Sequence, residues 1–130
     1  MDGWPASFAE PELQTWASTI NEQETSMSDE IRVVAILQAK PGQGTELERV
    51  LRAGVAPSRA EAGCLSYELH RDIDQEGRFV FVETWADRAA IETHRQMPHY
   101  KTMINAAIEH VLERQVCLLS AIAVDSQPAL

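Results

Sequence analysis

The feature of this sequence that most constrains its fold is the order of its strand-type and helix-type patterns. Four stretches are rich in Val, Ile, Leu and aromatic residues, as β-strands are, and amphipathic stretches with helical spacing follow the first and the third. The predicted strands, in chain order, cover residues 31–40, 64–73, 78–85 and 115–124. The elements are therefore expected in the order β-α-β-β-α-β.

The two amphipathic stretches are predicted helices. Residues 45–55 carry apolar side chains at helical spacing, and Pro57 is expected to kink or end this helix. Asp87 can cap the second helical region, and Pro98 suits the first turn of its continuation. The apolar stripe of that continuation runs through Tyr100, Met103, Ile104, Ala107, Ile108, Val111 and Leu112.

The connections decide how these elements assemble. Only residues 74–77 separate the second strand from the third, which predicts an antiparallel hairpin. Short connections and right-handed crossovers favour a ferredoxin-like α+β fold, with a four-stranded antiparallel sheet and helices on one face. The third strand is apolar on both sides, with Phe79 and Phe81 on one and Val80 and Val82 on the other. Because helices cover one face only, the other is expected to pack on the same sheet of a second subunit, as a homodimeric α+β barrel.

The charge of the chain is concentrated at its N-terminus. Its 130 residues include 20 acidic and 11 basic side chains, and residues 1–30 contain seven of the acids but no Lys or Arg. We therefore expect an acidic N-terminal extension at residues 1–30 with the pattern of one short helix. A single domain at residues 31–125 and a tail at residues 126–130 would follow it.

The composition argues against several classes of protein. Residues 31–130 are near neutral and have no basic stripe, so nucleic acid is not an expected partner. No run of about 18 apolar residues indicates a membrane span, and the N-terminus lacks the pattern of a secretory signal. Cys64 and Cys117 have no metal-type spacing and fit a reducing cytoplasm.

Residues 83–100 form the part of the chain that is richest in groups capable of chemistry. Strand alternation places Glu83 on the same face as Phe79, Phe81 and Trp85, where a carboxylate loses hydration and its pKa should rise. Glu83 could then carry a proton or orient a histidine. The alternative is a strand-end glutamate bonded to an arginine or to backbone, and the pattern alone favours that alternative.

Three further polar residues are candidates for a site. His94 follows Ile91 by three positions, so it lies on the buried face of its helix, either as a general acid or base or as a hydrogen-bonded core histidine. His99 begins the next helix and is either a polar group at a pocket mouth or a solvated terminal residue. Tyr67 could donate a hydrogen bond to a ligand oxygen or simply pack in the core.

No metal or cofactor is expected from the sequence patterns. His94 and His99 are five residues apart across Pro98, which is a poor spacing for one helical face. The sequence also lacks a CxxC, an HExxH and a paired-carboxylate motif, and residues 40–46 lack the full glycine-rich phosphate loop.

Two quoted stretches, "GCLSYELHRD" and "FVFVETWADRAAIETHRQMPHYKTM", carry a resemblance to a known family. They have Gly-Cys before a strand with Tyr, then Glu-x-Trp, then His nine residues after the Trp, then Pro-His. The residues concerned are Gly63, Cys64, Tyr67, Glu83, Trp85, His94, Pro98 and His99. This pattern resembles the antibiotic biosynthesis monooxygenase (ABM) domain, especially its bacterial quinol monooxygenases, over about residues 31–125.

The resemblance implies a dimeric, cofactor-independent monooxygenase that oxidises a small electron-rich aromatic, a quinol or polyphenol, with O2. The implied catalytic residues are His94, Glu83 and Tyr67. The implied substrate-binding residues are Trp85, Phe79, Phe81 and His99. An isomerase of a small oxygenated metabolite and a non-catalytic dimeric binding module stay open as alternatives, whereas haem degradation is disfavoured because residues 31–40 contain no Asn.

Overall fold

A computed structural model describes residues 29–124, so the predicted acidic extension and C-terminal tail lie almost wholly outside the described residues. The strands are β1 (Ile31–Ala39), β2 (Cys64–Arg71), β3 (Arg78–Trp85) and β4 (Val111–Leu119). The α-helices are α1 (Gly44–Ala53), α2 (Val55–Arg59), α3 (Arg88–Gln96) and α4 (Pro98–Ala107), and a 3-10 turn covers Ile108–His110.

The four strands form one antiparallel sheet in the order β2-β3-β1-β4. The β2–β3 hairpin lies at one edge, and β1 is central because it pairs with both β3 and β4. This topology confirms the predicted ferredoxin-like α+β fold. Its consequence for function is that the start of β2 and the end of β3 lie beside α3, which follows β3 directly along the chain.

Strand alternation separates the two faces of the sheet. On β3, Phe79, Phe81, Glu83 and Trp85 are all buried, while the residues between them are only partly buried. This face and the helices enclose the core, which burial of large apolar side chains stabilises. We call it the inner face, and the opposite side of the sheet the outer face.

The break in the first helical region does not fall where the sequence predicted it. The prediction placed a kink or an end at Pro57, but α1 ends at Ala53 and α2 begins at Val55. Gly54 separates them, and a Cβ atom at this position would clash with the side chain of Met103 on α4. Pro57 lies in the first turn of α2, where its missing N–H leaves no hydrogen bond unmade.

The boundary between α4 and β4 also differs from the prediction. The apolar stripe suggested a helix as far as Leu112 and a strand over residues 115–124, but α4 ends at Ala107 and β4 begins at Val111. Pairing with β1 sets this boundary, since the register runs from Ala39 opposite Val111 to Arg32 opposite Leu119. Val111 and Leu112 fit the helical period of α4, but the hydrogen bonds between β4 and β1 outweigh that preference.

Candidate active site

Two histidines lie on successive helices, His94 near the end of α3 and His99 near the start of α4. The side chain of Asp87 caps α3 by accepting a hydrogen bond of 2.9 Å from the backbone N–H of Ala90, as predicted. His94 lies on the buried face of α3 and is 4% exposed. Met97 is extended, and α4 then starts at Pro98 with His99 in its first turn. The chain therefore changes direction between the two histidines.

Both histidines contact one carboxylate oxygen, which belongs to Glu61. Nδ1 of His94 lies 2.6 Å and Nε2 of His99 lies 2.7 Å from Oε2 of Glu61. The side chains of Glu61 and His94 are each 5% exposed, and that of His99 is 21% exposed. An ionised carboxylate only accepts hydrogen bonds, so both ring nitrogens donate to it.

Gly63 lets the segment before β2 approach α3 closely. A Cβ atom at residue 63 would clash with the side chain of Ala90. The backbone carbonyl of Gly63 also accepts a hydrogen bond of 2.9 Å from the N–H of Ala86. These contacts hold the segment that carries Glu61 against the start of α3.

Aromatic rings surround the imidazole of His94. Its ring centroid lies 4.6 Å from that of Trp85, 4.8 Å from Tyr100 and 5.8 Å from Tyr67. Burial lowers the pKa of His94 from its usual value, and the hydrogen bond to Glu61 opposes that shift. The neutral ring that burial favours has its proton on Nδ1, facing Glu61, and its lone pair on Nε2.

Glu83 is a second buried carboxylate with a different environment. It is 6% exposed, and its Oε1 accepts a hydrogen bond of 2.8 Å from the indole N–H of Trp85. Burial raises the pKa of Glu83 to about 7, although the indole hydrogen bond pulls it down. Close to neutral pH, Glu83 is therefore poised between its protonated and its ionised form.

Tyr67 stands on β2 opposite Glu83 in the strand register. It is 2% exposed and packs on Phe81, with ring centroids 5.1 Å apart. Burial raises the pKa of Tyr67 above its usual value, and the nearby Glu83 adds to the shift. The hydroxyl group therefore stays protonated and able to donate a hydrogen bond.

A cavity of about 40 Å³ lies between the inner face and helices α3 and α4. Its polar lining comes from Tyr67, Glu83, His94, Arg95, Tyr100 and Arg114. The remaining lining is apolar, with contributions from β1, β3 and β4 and from α1, α3 and α4. Such an apolar space with a few convergent polar groups is typical of small-molecule sites.

The predicted site residues divide into two groups by their place relative to this cavity. Four of them line it: Tyr67, Phe81, Glu83 and His94. Trp85 and His99 do not line it: Trp85 packs on His94, and His99 contacts Glu61 and has its ring centroid 6.0 Å from that of His94. Phe79 faces a separate surface groove, beside Leu69 and Arg71.

The sequence interpretation missed Glu61, Arg95, Tyr100 and Arg114. Glu61 lies between α2 and β2, where no periodic pattern indicates the direction of a side chain. Tyr100 was assigned to an apolar stripe, but its hydroxyl group accepts a hydrogen bond of 3.3 Å from Nη2 of Arg114 across the cavity. Arg95 directly follows His94 on α3, so the periodicity of this helix is the one sequence signal that could have suggested Arg95 as a site residue.

The sequence profile of the antibiotic biosynthesis monooxygenase family matches residues 30–106. This match covers more than half of the chain, and the chain therefore belongs to the antibiotic biosynthesis monooxygenase family. The fold and the order of its elements agree with this assignment, which confirms the resemblance drawn from the sequence.

Two relatives indicate how widely the similarity extends. Rv0793 of Mycobacterium tuberculosis, named as a candidate monooxygenase, is 32% identical over 103 residues, which cover 79% of this chain and all of the relative. Its solved structure has a TM-score of 0.69 and covers 75% of this chain and 99% of its own. An uncharacterised Synechocystis protein is 30% identical over 86 residues, or 66% of this chain, but this chain spans only 58% of that relative's length.

A more distant neighbour shares the fold. SnoaB of Streptomyces nogalater, described as a cofactor-independent oxygenase, has a solved mutant structure with a TM-score of 0.66. It is 20% identical, and the match covers 77% of this chain and all of that one.

Within residues 29–124, no helix is long and apolar enough to cross a membrane.

Proposed function

We propose that this protein is a cofactor-independent monooxygenase that oxidises a small electron-rich aromatic compound, a quinol or polyphenol, with O2. The observation that carries the proposal is His94, a buried base that borders an apolar cavity and is oriented by Glu61. SnoaB, which shares the fold, is described as an oxygenase that works without a cofactor. Family membership supports the reaction class.

The first step would be removal of a proton from the substrate. Nε2 of His94 would take the proton of a phenolic hydroxyl group, and the carboxylate of Glu61 would stabilise the imidazolium that forms. The position of Glu61 favours this step, because its carboxylate is already hydrogen-bonded to Nδ1 of His94 at 2.6 Å. Deprotonation matters because a phenolate loses an electron much more readily than a phenol.

The phenolate itself would then supply the electrons that O2 needs. One electron passes to O2, giving a phenoxyl radical and superoxide, and their recombination forms a carbon–oxygen bond. Loss of water from the resulting hydroperoxide leaves a hydroxyquinone. For a hydroquinone the balance is QH2 + O2 → hydroxyquinone + H2O, so the substrate provides all four electrons and no further reductant is required.

Tyr67 and Glu83 would act on the oxygen atoms of the substrate and of the departing water. Tyr67 would donate a hydrogen bond to a substrate oxygen, since its hydroxyl group stays protonated. Glu83, with a pKa raised to about 7, would return a proton to the departing oxygen. In this proposal Trp85 holds Glu83 and packs on His94, rather than forming the wall of the substrate site.

The small cavity agrees with a second candidate function, a non-catalytic binding module, because such a module is expected to have a collapsed or blocked pocket. A space of about 40 Å³ has room for water molecules, whereas a site for a single benzene ring needs about 150 Å³. Substrate binding therefore requires side chains at the cavity to move. The contact between Arg114 and Tyr100 spans β4 and α4 and is the natural place for such opening.

Oxygen consumption by chelator-treated protein tests the proposal against this alternative. We expect O2 uptake well above the no-enzyme rate with menadiol, and a loss of roughly 100-fold or more in His94→Ala, the range for a general base. His70→Ala is the matched control, because His70 is exposed and paired with Glu68. Uptake at the background rate would exclude the oxygenase, and turnover without O2 would favour an isomerase.

We further propose that the outer face of the sheet forms a homodimer. It carries apolar side chains that are only partly buried in the single chain, among them Val34, Ile36, Val80 and Val82. Val82→Glu would put a charge at the centre of that face, so light scattering should show a monomer instead of a dimer. Val55→Glu, a partly buried site on α2, is the control that should leave the mass unchanged.

We propose the cytoplasm as the location of this protein. Cys64 and Cys117 are both free and partly buried, and neither forms a disulfide. Free thiols of this kind persist in a reducing compartment. Fractionation of cells that express the full chain should recover it with cytoplasmic markers, and recovery with an extracellular fraction would contradict the proposal.

A further inference from the structure

The cluster of Glu61, His94 and His99 combines three groups that commonly bind metal ions. One oxygen of Glu61 and one ring nitrogen of each histidine all lie within 4.8 Å of one another. The three side chains come from the loop before β2, from α3 and from α4. Three separate elements therefore fix the positions of the donor atoms.

The donor set is one that divalent transition metals prefer. Two imidazoles with one carboxylate bind Zn²⁺ in hydrolytic enzymes and Fe²⁺ in non-haem oxygenases. Two of the three side chains are 5% exposed, so the protein and not the solvent determines their arrangement.

A separate observation also indicates a missing ligand. Oε1 of Glu61 is buried and, among the described residues, has no hydrogen-bond partner, although Oε2 of the same carboxylate has two. A buried carboxylate oxygen without a partner costs free energy, because it has lost its hydration without gaining a hydrogen bond. A cation bound by this carboxylate would satisfy that oxygen or allow the carboxylate to turn.

We propose that Glu61, His94 and His99 bind one divalent transition-metal ion, with Zn²⁺ as the representative case. The ion would take the place of the two protons that lie between Glu61 and the histidines, and each ring would then carry its proton on its other nitrogen. Donor atoms around Zn²⁺ lie roughly 3.3 Å apart at bonds of about 2.1 Å. The two oxygen–nitrogen distances, now 2.6 and 2.7 Å, would therefore lengthen slightly, and the nitrogens would approach each other.

The proton balance of this exchange determines its effect. Both histidines bind the ion as neutral rings, so each ring carries its proton on the nitrogen that faces away from the metal. For His94, bound through Nδ1, that nitrogen is Nε2. This consequence rests on the proposed function: a metal-loaded His94 cannot accept the substrate's proton, and the ion acts as a reversible inhibitor rather than a cofactor.

Binding of Zn²⁺ to the chelator-treated full chain tests the site without any reference to activity. Titration with ZnCl2 followed by calorimetry should give one site per chain. His99→Gln and Glu61→Gln should each weaken it at least 10-fold, and His70→Ala should stay within twofold. No saturable binding, or equal binding by His99→Gln, would overturn the proposal.

Substitution of Co²⁺ for Zn²⁺ gives a measurement of the coordination that is independent of the calorimetry. Visible absorption in the range of four- or five-coordinate Co²⁺ is expected for the wild type and should be lost in His99→Gln. His99 is the most exposed of the three ligands, so this variant is the one most able to keep the fold, which circular dichroism verifies. Retention of the spectrum in a folded His99→Gln variant contradicts the site.

Activity measurements then distinguish the two proposals. If O2 uptake is present and falls in proportion to Zn²⁺ occupancy, both the oxygenase and the inhibitory site are supported. Zn²⁺ binding without any O2 uptake would leave the metal site standing and remove the oxygenase. O2 uptake that persists at full Zn²⁺ occupancy would overturn the inhibitory role.

Discussion

Glu61 and Glu83 are two buried carboxylates, one hydrogen-bonded to His94 and one lining the same cavity as His94, and their environments differ. Glu61 offers one oxygen to two imidazoles at 2.6 and 2.7 Å. Glu83 receives one indole hydrogen bond at 2.8 Å and borders the cavity together with Arg95 and Arg114, whose charges oppose the effect of burial on its pKa. Each side chain is almost fully removed from water.

The difference shows that burial alone does not assign a role to a carboxylate. Desolvation dominates at Glu83 and raises its pKa to about 7, which suits a group that exchanges a proton. At Glu61 two ring N–H groups compensate for the lost water, which suits a group that orients and stabilises a base. Substitution of each carboxylate tests this division of roles.

Glu61→Gln should have the larger effect on catalysis. The side-chain amide can donate a hydrogen bond to Nδ1 of His94, which favours the tautomer that has its proton on Nε2 and is not a base. We expect kcat for O2 uptake to fall roughly 10- to 100-fold, with KM nearly unchanged because Glu61 does not line the cavity.

The matched control for this variant is Glu68→Gln. Glu68 also contacts a histidine, His70, at 3.0 Å, but both are exposed. This substitution should leave kcat unchanged. A large rise in KM with normal kcat in Glu61→Gln would show that Glu61 binds substrate rather than positions His94.

Glu83→Gln should change the pH dependence of stability. The folded-state pKa of Glu83, about 7, exceeds the value of 4.5 for a free glutamate, so the native protein binds the extra proton between these values. Wild-type stability therefore falls as pH rises from 4.5 to 7, by up to about 3 kcal/mol from this residue. The variant cannot ionise and escapes that loss.

Urea unfolding at several pH values measures this difference. The free energy of unfolding of Glu83→Gln minus that of the wild type should grow from pH 4.5 to pH 7 and stay constant above it. A difference that is independent of pH would mean that Glu83 keeps an ordinary pKa. Glu113→Gln, an exposed residue on β4, should show no such slope.

Trp85→Phe should have the smallest effect on this titration. Its indole hydrogen bond lowers the pKa of Glu83, so its removal should move the midpoint upward, by up to about one pH unit. The same substitution leaves a cavity beside His94, and the loss of stability from that cavity is independent of pH. A downward shift of the midpoint would contradict the role assigned to the indole.

Much of the fold and part of the site follow from short-range pattern. β3 begins and ends at the predicted residues, Asp87 caps α3, and alternation puts Glu83 on the inner face. Helical spacing likewise puts His94 on the buried face of α3. These features depend on neighbours within a few positions, which is the range over which a sequence pattern carries information.

Long-range contacts explain what pattern could not supply. The spacing of His94 and His99 argued against a shared site because it assumed one helix, yet Met97 breaks the helix and both rings reach Glu61. Gly54, between α1 and α2, packs against Met103, which is distant in sequence. Such contacts join residues that no local period connects.

The amino-acid sequence was enough to predict the order of elements, the grouping of Glu83 with Phe79, Phe81 and Trp85 on one face, and the candidates Glu83 and His94. Which face of the sheet meets the helices, and that Glu61, 33 residues before His94, contacts this histidine, became known from the three-dimensional fold. The physical reason is that a loop residue has no periodic direction, so its side chain is placed by the packing of the elements around it. Gly63 against Ala90 is the contact that brings Glu61 to the histidines.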